Sequence, residues 1–137
     1  MVEEGPGAFA ATGAPGLYEV LGGGLTRGRS YLLEGAPGTG KTTVALQFLL
    51  EGTRRGEAGV YFTLSETSEE LAASAASDGW MLDGAFKVVE IVPPESLFDD
   101  GREQTLLYSS DLELGETART IFAEVERHRP HRIVLDS

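Results

Sequence analysis

The chain has no cysteine, one tryptophan and two histidines. It also lacks any run of about 18 apolar residues, the length a bilayer-spanning helix needs. Without cysteine there is no disulfide framework, no thiolate zinc site and no cysteine nucleophile, and the redox compartment stays open. Basic side chains are scarce too, with 11 Lys and Arg against 22 Asp and Glu and a formal net charge of -11. A general nucleic-acid binder needs a basic face to displace counterions, so this balance disfavours nucleic acid. Adsorption to an anionic membrane is disfavoured for the same reason. The opening Met-Val-Glu-Glu lacks the basic and apolar regions of a secretory signal, and a cytoplasmic protein is expected.

What remains is 137 residues, 41% apolar and 24% charged, the profile of one globular domain. Residues 1–16 are dominated by Gly, Ala, Pro and Thr and are expected to form a flexible arm, with the domain proper spanning 17–137. Tyr31-Leu32-Leu33 reads as a short buried strand running into a glycine-rich turn. Apolar residues at Val44, Ala45, Leu46, Phe48, Leu49 and Leu50 predict a helix from Lys41 to Arg55, stopped by Gly52 or Gly56. Residues 59–64 read as a second strand. Thr67 and Glu70 form a capping-box pattern for a helix through Leu71 to Ser77. A third strand is predicted over 86–92, and a fourth over 132–136 after a helix from Glu116 to Arg129. Residues 95–114 are acidic and are expected to be irregular. Alternating strands and helices call for an α/β fold with a parallel sheet covered by helices on both faces.

The chemistry is concentrated in Gly35-Ala36-Pro37-Gly38-Thr39-Gly40-Lys41-Thr42, which fits the phosphate-loop (Walker A) pattern G-x-x-x-x-G-K-[ST] at every fixed position. Its glycines let backbone amides close round a polyphosphate, and the following helix adds the positive end of its dipole. Lys41 is expected to meet the β- and γ-phosphates, Thr42 to ligate Mg²⁺, and Thr43 to complete the nucleotide-binding stretch. Ile133-Val134-Leu135-Asp136 has the form of a Walker B strand. Its acid stands at the edge of the sheet where ligands bind in open α/β folds, placed to hold Mg²⁺ through a water. Glu66 fits two readings equally by spacing alone. It is either a general base for the attacking water or an acid favoured by the dipole of the next helix.

The order of these motifs resembles the KaiC-like branch of the RecA-type P-loop ATPases. The resemblance begins at Thr12-Gly13-Ala14-Pro15-Gly16-Leu17 and Val20-Leu21-Gly22-Gly23-Gly24-Leu25. It continues through Tyr61 to Thr67, Gly79-Trp80 and Glu113 to Thr117, and ends at Leu135-Asp136-Ser137. It implies a RecA-like fold, ATP and Mg²⁺ as ligands, and hydrolysis of ATP to ADP and phosphate. It also implies homo-oligomeric rings, often hexameric, with autokinase activity in some members. It matches Glu66 to a catalytic glutamate and Asp136 to the Walker B acid. Two positions depart from the pattern: Ser65 replaces the first of a glutamate pair found in clock members, and Tyr18 stands where an acid is common. RecA-like domains continue beyond Walker B, with a strand between the phosphate-loop strand and the Walker B strand. The chain is therefore expected to be the front part of a longer ATPase. A nucleotide-gated assembly module with little turnover is the alternative, and a DNA-recombination ATPase is disfavoured by charge. His128 and His131, set among Arg127, Arg129 and Arg132, read as a solvated helix end, and Trp80 as a packing anchor.

Overall fold

The computed structural model describes residues 9–82, 84–91 and 106–136. The chain runs β1 (Phe9–Ala10), α1 (Pro15–Leu21), β2 (Leu25–Thr26), α2 (Lys41–Arg54), β3 (Gly59–Thr63) and α3 (Ser68–Ser77). It ends with β4 (Lys87–Glu90), α4 (Leu106–His128) and β5 (Arg132–Asp136). β3 lies at the centre of a parallel sheet in the order β4-β3-β5. All five of its residues are buried. Alternation along this strand builds two cores. Tyr61 points to one face and packs with Leu46 and Leu49 of α2 and Leu71 and Ala75 of α3. Val60 and Phe62 point to the other face, with Ile91 and with Ile121 and Val125 of α4. The expected α/β architecture, with helices on both faces of a parallel sheet, is the observed one.

Local sequence fixes where the helices stop. In α2, Gly56 N–H donates to Thr53 O at 3.0 Å and Glu57 N–H to Gly52 O at 2.7 Å, closing a Schellman motif round Gly56. α3 repeats the device, with Gly79 N–H on Ala76 O and Trp80 N–H on Ala75 O. Trp80 then packs against the α2/α3 core, as an anchor should. At its start α3 carries the expected capping box: Thr67 Oγ1 accepts from Glu70 N–H and Glu70 accepts from Thr67 N–H.

Three expectations are corrected. Tyr31-Leu32-Leu33 does not form a strand, and its side chains are 52%, 83% and 51% exposed. A strand needs a hydrogen-bonded neighbour, and among the described residues none pairs with it. Residues 106–114, expected to be irregular, are the first turns of α4. Their leucines and glutamate are good helix formers, and acid content alone does not make a loop. The earlier part of the acidic stretch, together with Pro93 and Pro94, lies outside the described residues.

The third concerns the amino-terminal segment and Arg132. Of the expected arm, residues 1–8 lie outside the described residues, but 9–16 are held in place. Phe9 and Ala10 pair antiparallel with Thr26 and Leu25, and Ala10 and Thr12 are buried. Arg132, grouped in the sequence with a solvated helix end, is 2% exposed. Its Nη1 donates to Ala11 O at 2.5 Å and to Phe48 O at 2.8 Å, and its Nε to Glu57 Oε1 at 2.7 Å. Its guanidinium also lies 4.7 Å from the centre of the Phe48 ring. One side chain thus joins β5, α2 and the amino-terminal segment.

Candidate nucleotide and metal site

The loop between residue 34 and α2 is exposed throughout. Gly38 and Gly40 take φ of 83° and 95°, which a residue with a Cβ adopts only under strain. A Cβ on Gly35 would stand 2.6 Å from Thr39 Oγ1, so the turn closes only around a bare Cα. Thr39 Oγ1 in turn donates to Ala36 O at 2.7 Å. Lys41 Nζ folds back across the loop to Gly35 O at 2.5 Å and Ala36 O at 3.1 Å. Gly40 is the N-cap of α2 and no side chain caps the helix, which leaves its first amides and the positive end of its dipole open to an anion. Leu33, Glu34, Gly35, Thr39, Gly40, Lys41 and Val44 line a shallow open pocket of about 290 Å³ here. A cradle of backbone amides, one ammonium and bare glycine Cα atoms fits a polyphosphate. The hydroxyl of Thr43, the last residue of the expected nucleotide-binding stretch, donates to Asp78 Oδ2 at 3.4 Å, just past the end of α3.

The second half of the site comes from the sheet. In the parallel register Tyr61 sits beside Val134, and Thr63 beside Asp136. The period of two therefore puts Tyr61, Thr63 and Asp136 on the α2 face at the C-terminal edge. Tyr61 donates its phenolic hydrogen to Asp136 Oδ2 at 2.6 Å. Burial, then the hydrogen bond to Asp136, then the charges of Asp136 and Glu66 push this phenol well above its ordinary range. The nearby Thr42 hydroxyl acts in the opposite sense. Asp136, 75 positions further along the chain, is thus tied to the central strand.

Glu66 is half-buried beside this group. Thr63 Oγ1 accepts from Glu66 N–H and donates to Glu66 O, both at 2.9 Å, forming a short turn that carries the glutamate off the strand end. Burial, the charge of Asp136 and that of Glu70 raise its carboxyl pKa. Thr42 and Asp136 offer two hard oxygen donors, which suits Mg²⁺. Among the described residues no group of three or more His, Asp or Glu could hold a metal by itself. Mg²⁺ is commonly held by one or two protein oxygens with waters and substrate phosphates, so this donor set fits it as a shared ligand.

The contacts in and beside the candidate site that sequence reasoning missed are those of the Tyr61 hydroxyl with Asp136 and of Thr43 with Asp78. A tyrosine in a strand otherwise built of apolar residues and a threonine was the available signal, because a buried phenol needs a partner.

A family model described as the KaiC ATPase matches residues 10–137. The chain belongs to the KaiC ATPase family. Its match begins at residue 10, inside the segment held by β1 and Arg132. Among curated relatives, the chain is 33% identical over 131 residues to the circadian clock protein KaiC3 of Synechocystis sp., covering 92% of this chain and 25% of that one. It is 35% identical over 132 residues to the circadian clock oscillator protein KaiC of Prochlorococcus marinus, covering 92% of this chain and 25% of the other. A UPF0273 protein of Thermotoga maritima is 30% identical over 131 residues, 92% of this chain and 54% of its own. The chain therefore spans from a quarter to about half the length of these relatives. The KaiC ATPase domain is RecA-like, in agreement with the parallel sheet. Among the described residues no helix is long and apolar enough to cross a membrane.

Proposed function

We propose that this chain carries the Mg²⁺-ATP site of a KaiC-type ATPase and that the site hydrolyses ATP to ADP and phosphate. The observation that carries the reading is the glycine cradle headed by Lys41 at the uncapped start of α2, with Asp136 held by Tyr61 at the C-terminal edge of the sheet. The Gly35–Gly40 backbone, with the first amides of α2, wraps the phosphates. Lys41 exchanges its two carbonyl partners for the β- and γ-phosphate oxygens. Thr42 and Asp136 are the residues that would hold Mg²⁺, Asp136 through a water, and the ion when bound would neutralise phosphate charge. Glu66 takes the proton of the attacking water as its oxygen bonds to the γ-phosphorus and the bond to the bridging oxygen breaks. Its raised pKa strengthens it as a base, and the deprotonated form is the active one. The assembly proposed is a homo-oligomeric ring, and the site of action the cytoplasm.

Equilibrium binding of Mg²⁺-ATP tests the site. Lys41→Ala should weaken affinity about 10- to 100-fold, since charge-assisted contacts to phosphate are lost. An unchanged affinity removes the loop from the site. Glu66→Gln should bind nucleotide normally and slow phosphate release about 10²- to 10⁴-fold.

A second reading, a nucleotide-gated assembly module with little turnover, is favoured by Ser65. It leaves Glu66 as the single carboxylate where clock members carry two. Equal assembly with ATP and with a non-hydrolysable analogue, alongside negligible phosphate release, would select it.

A further inference from the structure

The Tyr61 hydroxyl is a polar group on a buried cluster otherwise formed by the apolar Leu46, Leu49, Leu71 and Ala75. Its ring is fixed on both sides, by that cluster and by stacking on Phe86 with centroids 6.4 Å apart and planes 22° apart. The hydroxyl therefore has little freedom. It reaches the sheet edge, where it donates to Asp136 Oδ2 at 2.6 Å, with the Thr42 hydroxyl nearby. A phenol can donate one hydrogen bond and accept others, while an ionised carboxylate only accepts. The direction of the Tyr61–Asp136 bond is thus fixed by chemistry, with the phenol giving to the acid. Oδ2 is held by this donor, and Oδ1 is the carboxylate oxygen left for another ligand.

We propose that Tyr61 is a positioning residue for Asp136, its clamped phenol fixing that carboxylate of the metal-holding pair by one oxygen. The inference rests on the metal roles given above to Thr42 and Asp136. Groups that orient a metal ligand through a hydrogen bond typically change metal affinity 10- to 100-fold when removed. A hydroxyl that merely satisfied a buried polar group would change folding stability and leave metal affinity alone.

The test is a Mn²⁺ titration of the whole chain with bound ADP, followed by electron paramagnetic resonance, for the unaltered protein and for Tyr61→Phe. The variant keeps the ring and its packing. It should need about 10- to 100-fold more Mn²⁺ for half-saturation. Its affinity for metal-free ADP should not move. Equal Mn²⁺ affinity in the two proteins overturns the inference while leaving the proposed site standing. Failure of the unaltered protein to bind Mn²⁺ with ADP overturns both. Should Tyr61→Phe not fold, the unaltered chain still decides the matter. It has four tyrosines, so ring-labelled tyrosine gives four NMR signals, and the one in contact with Phe86 is Tyr61. Addition of diamagnetic Mg²⁺ to the ADP complex should shift that signal more than the other three, and an unmoved Tyr61 signal overturns the inference.

Discussion

The two sides of β5 have opposite fates. On the α2 face its residues meet a packed core: Val134 lies against the cluster round Tyr61, and Asp136 is hydrogen-bonded to that tyrosine. On the α4 face Ile133 and Leu135 are 41% and 60% exposed, although their in-register neighbours Val60 and Phe62 are fully buried. Leu32, in the unpaired segment before the glycine-rich loop, is 83% exposed. Residues of similar hydrophobicity thus end up covered or bare according to whether the described chain supplies a neighbour. Hydrophobicity gives a segment the capacity to be buried, and a paired backbone and a facing element are what realise it.

This contrast can be attacked from its strong side first. Phe62→Ala empties the fully buried α4 face of β3 and should cost about 3–5 kcal/mol in denaturant unfolding. A loss below about 1 kcal/mol would mean that this core is not packed as described. Arg132→Met removes the donor to the Ala11 and Phe48 carbonyls while keeping much of the side-chain volume. It should cost about 1–3 kcal/mol and raise the amide exchange of residues 9–12, which the guanidinium ties to the sheet. Unchanged exchange there would separate the amino-terminal segment from the Arg132 hub.

Acid should act on the same hub. Burial alone would raise the Glu57 carboxyl pKa, but hydrogen bonds and charge from Arg132 and Arg27 outweigh it and hold it below the usual range. Glu51 is likewise held down against its burial by Arg54 and Arg55. A depressed carboxyl adds stability that is full above the unfolded pKa, near 4.3, and lost as pH falls through the folded value. Denaturant midpoints should therefore fall below about pH 4, and Arg132→Met should flatten that fall by taking away one of the two cations on Glu57. On the bare side Leu32→Ser should move stability by no more than about 0.5 kcal/mol. A larger loss would show that this segment is covered in solution.

The sequence made the central layer legible because each signal there was local. Strand β3 showed itself through its apolar run, α3 through Thr67 and Glu70, and the phosphate-type loop through ordered glycines ending in Lys-Thr. The motifs also pointed to Thr42, which lies in the first turn of α2, and to Asp136, which ends β5. Three features were hidden because they depend on partners distant in the chain. Tyr31 to Leu33 carries a strand's composition without a strand's neighbour. Arg132 resembles its exposed companions Arg127 and Arg129 until β5 pairs with β3 and turns it inward. The Tyr61 hydroxyl acquires its meaning only from the register that brings Asp136 alongside, 75 positions later.

Gly52 ties these themes together. It is a buried glycine inside α2, where alanine would ordinarily be preferred by about 1 kcal/mol. A methyl group there would stand 2.5 Å from Arg132 Cδ and 2.8 Å from Nε. The missing side chain is therefore a slot through which the arginine crosses the helix to reach Phe48 and Ala11. Replacing an interior helix glycine by alanine, a standard route to a sturdier protein, should here work in reverse. It would perfect one helix and unlatch that helix from the sheet and from the start of the chain.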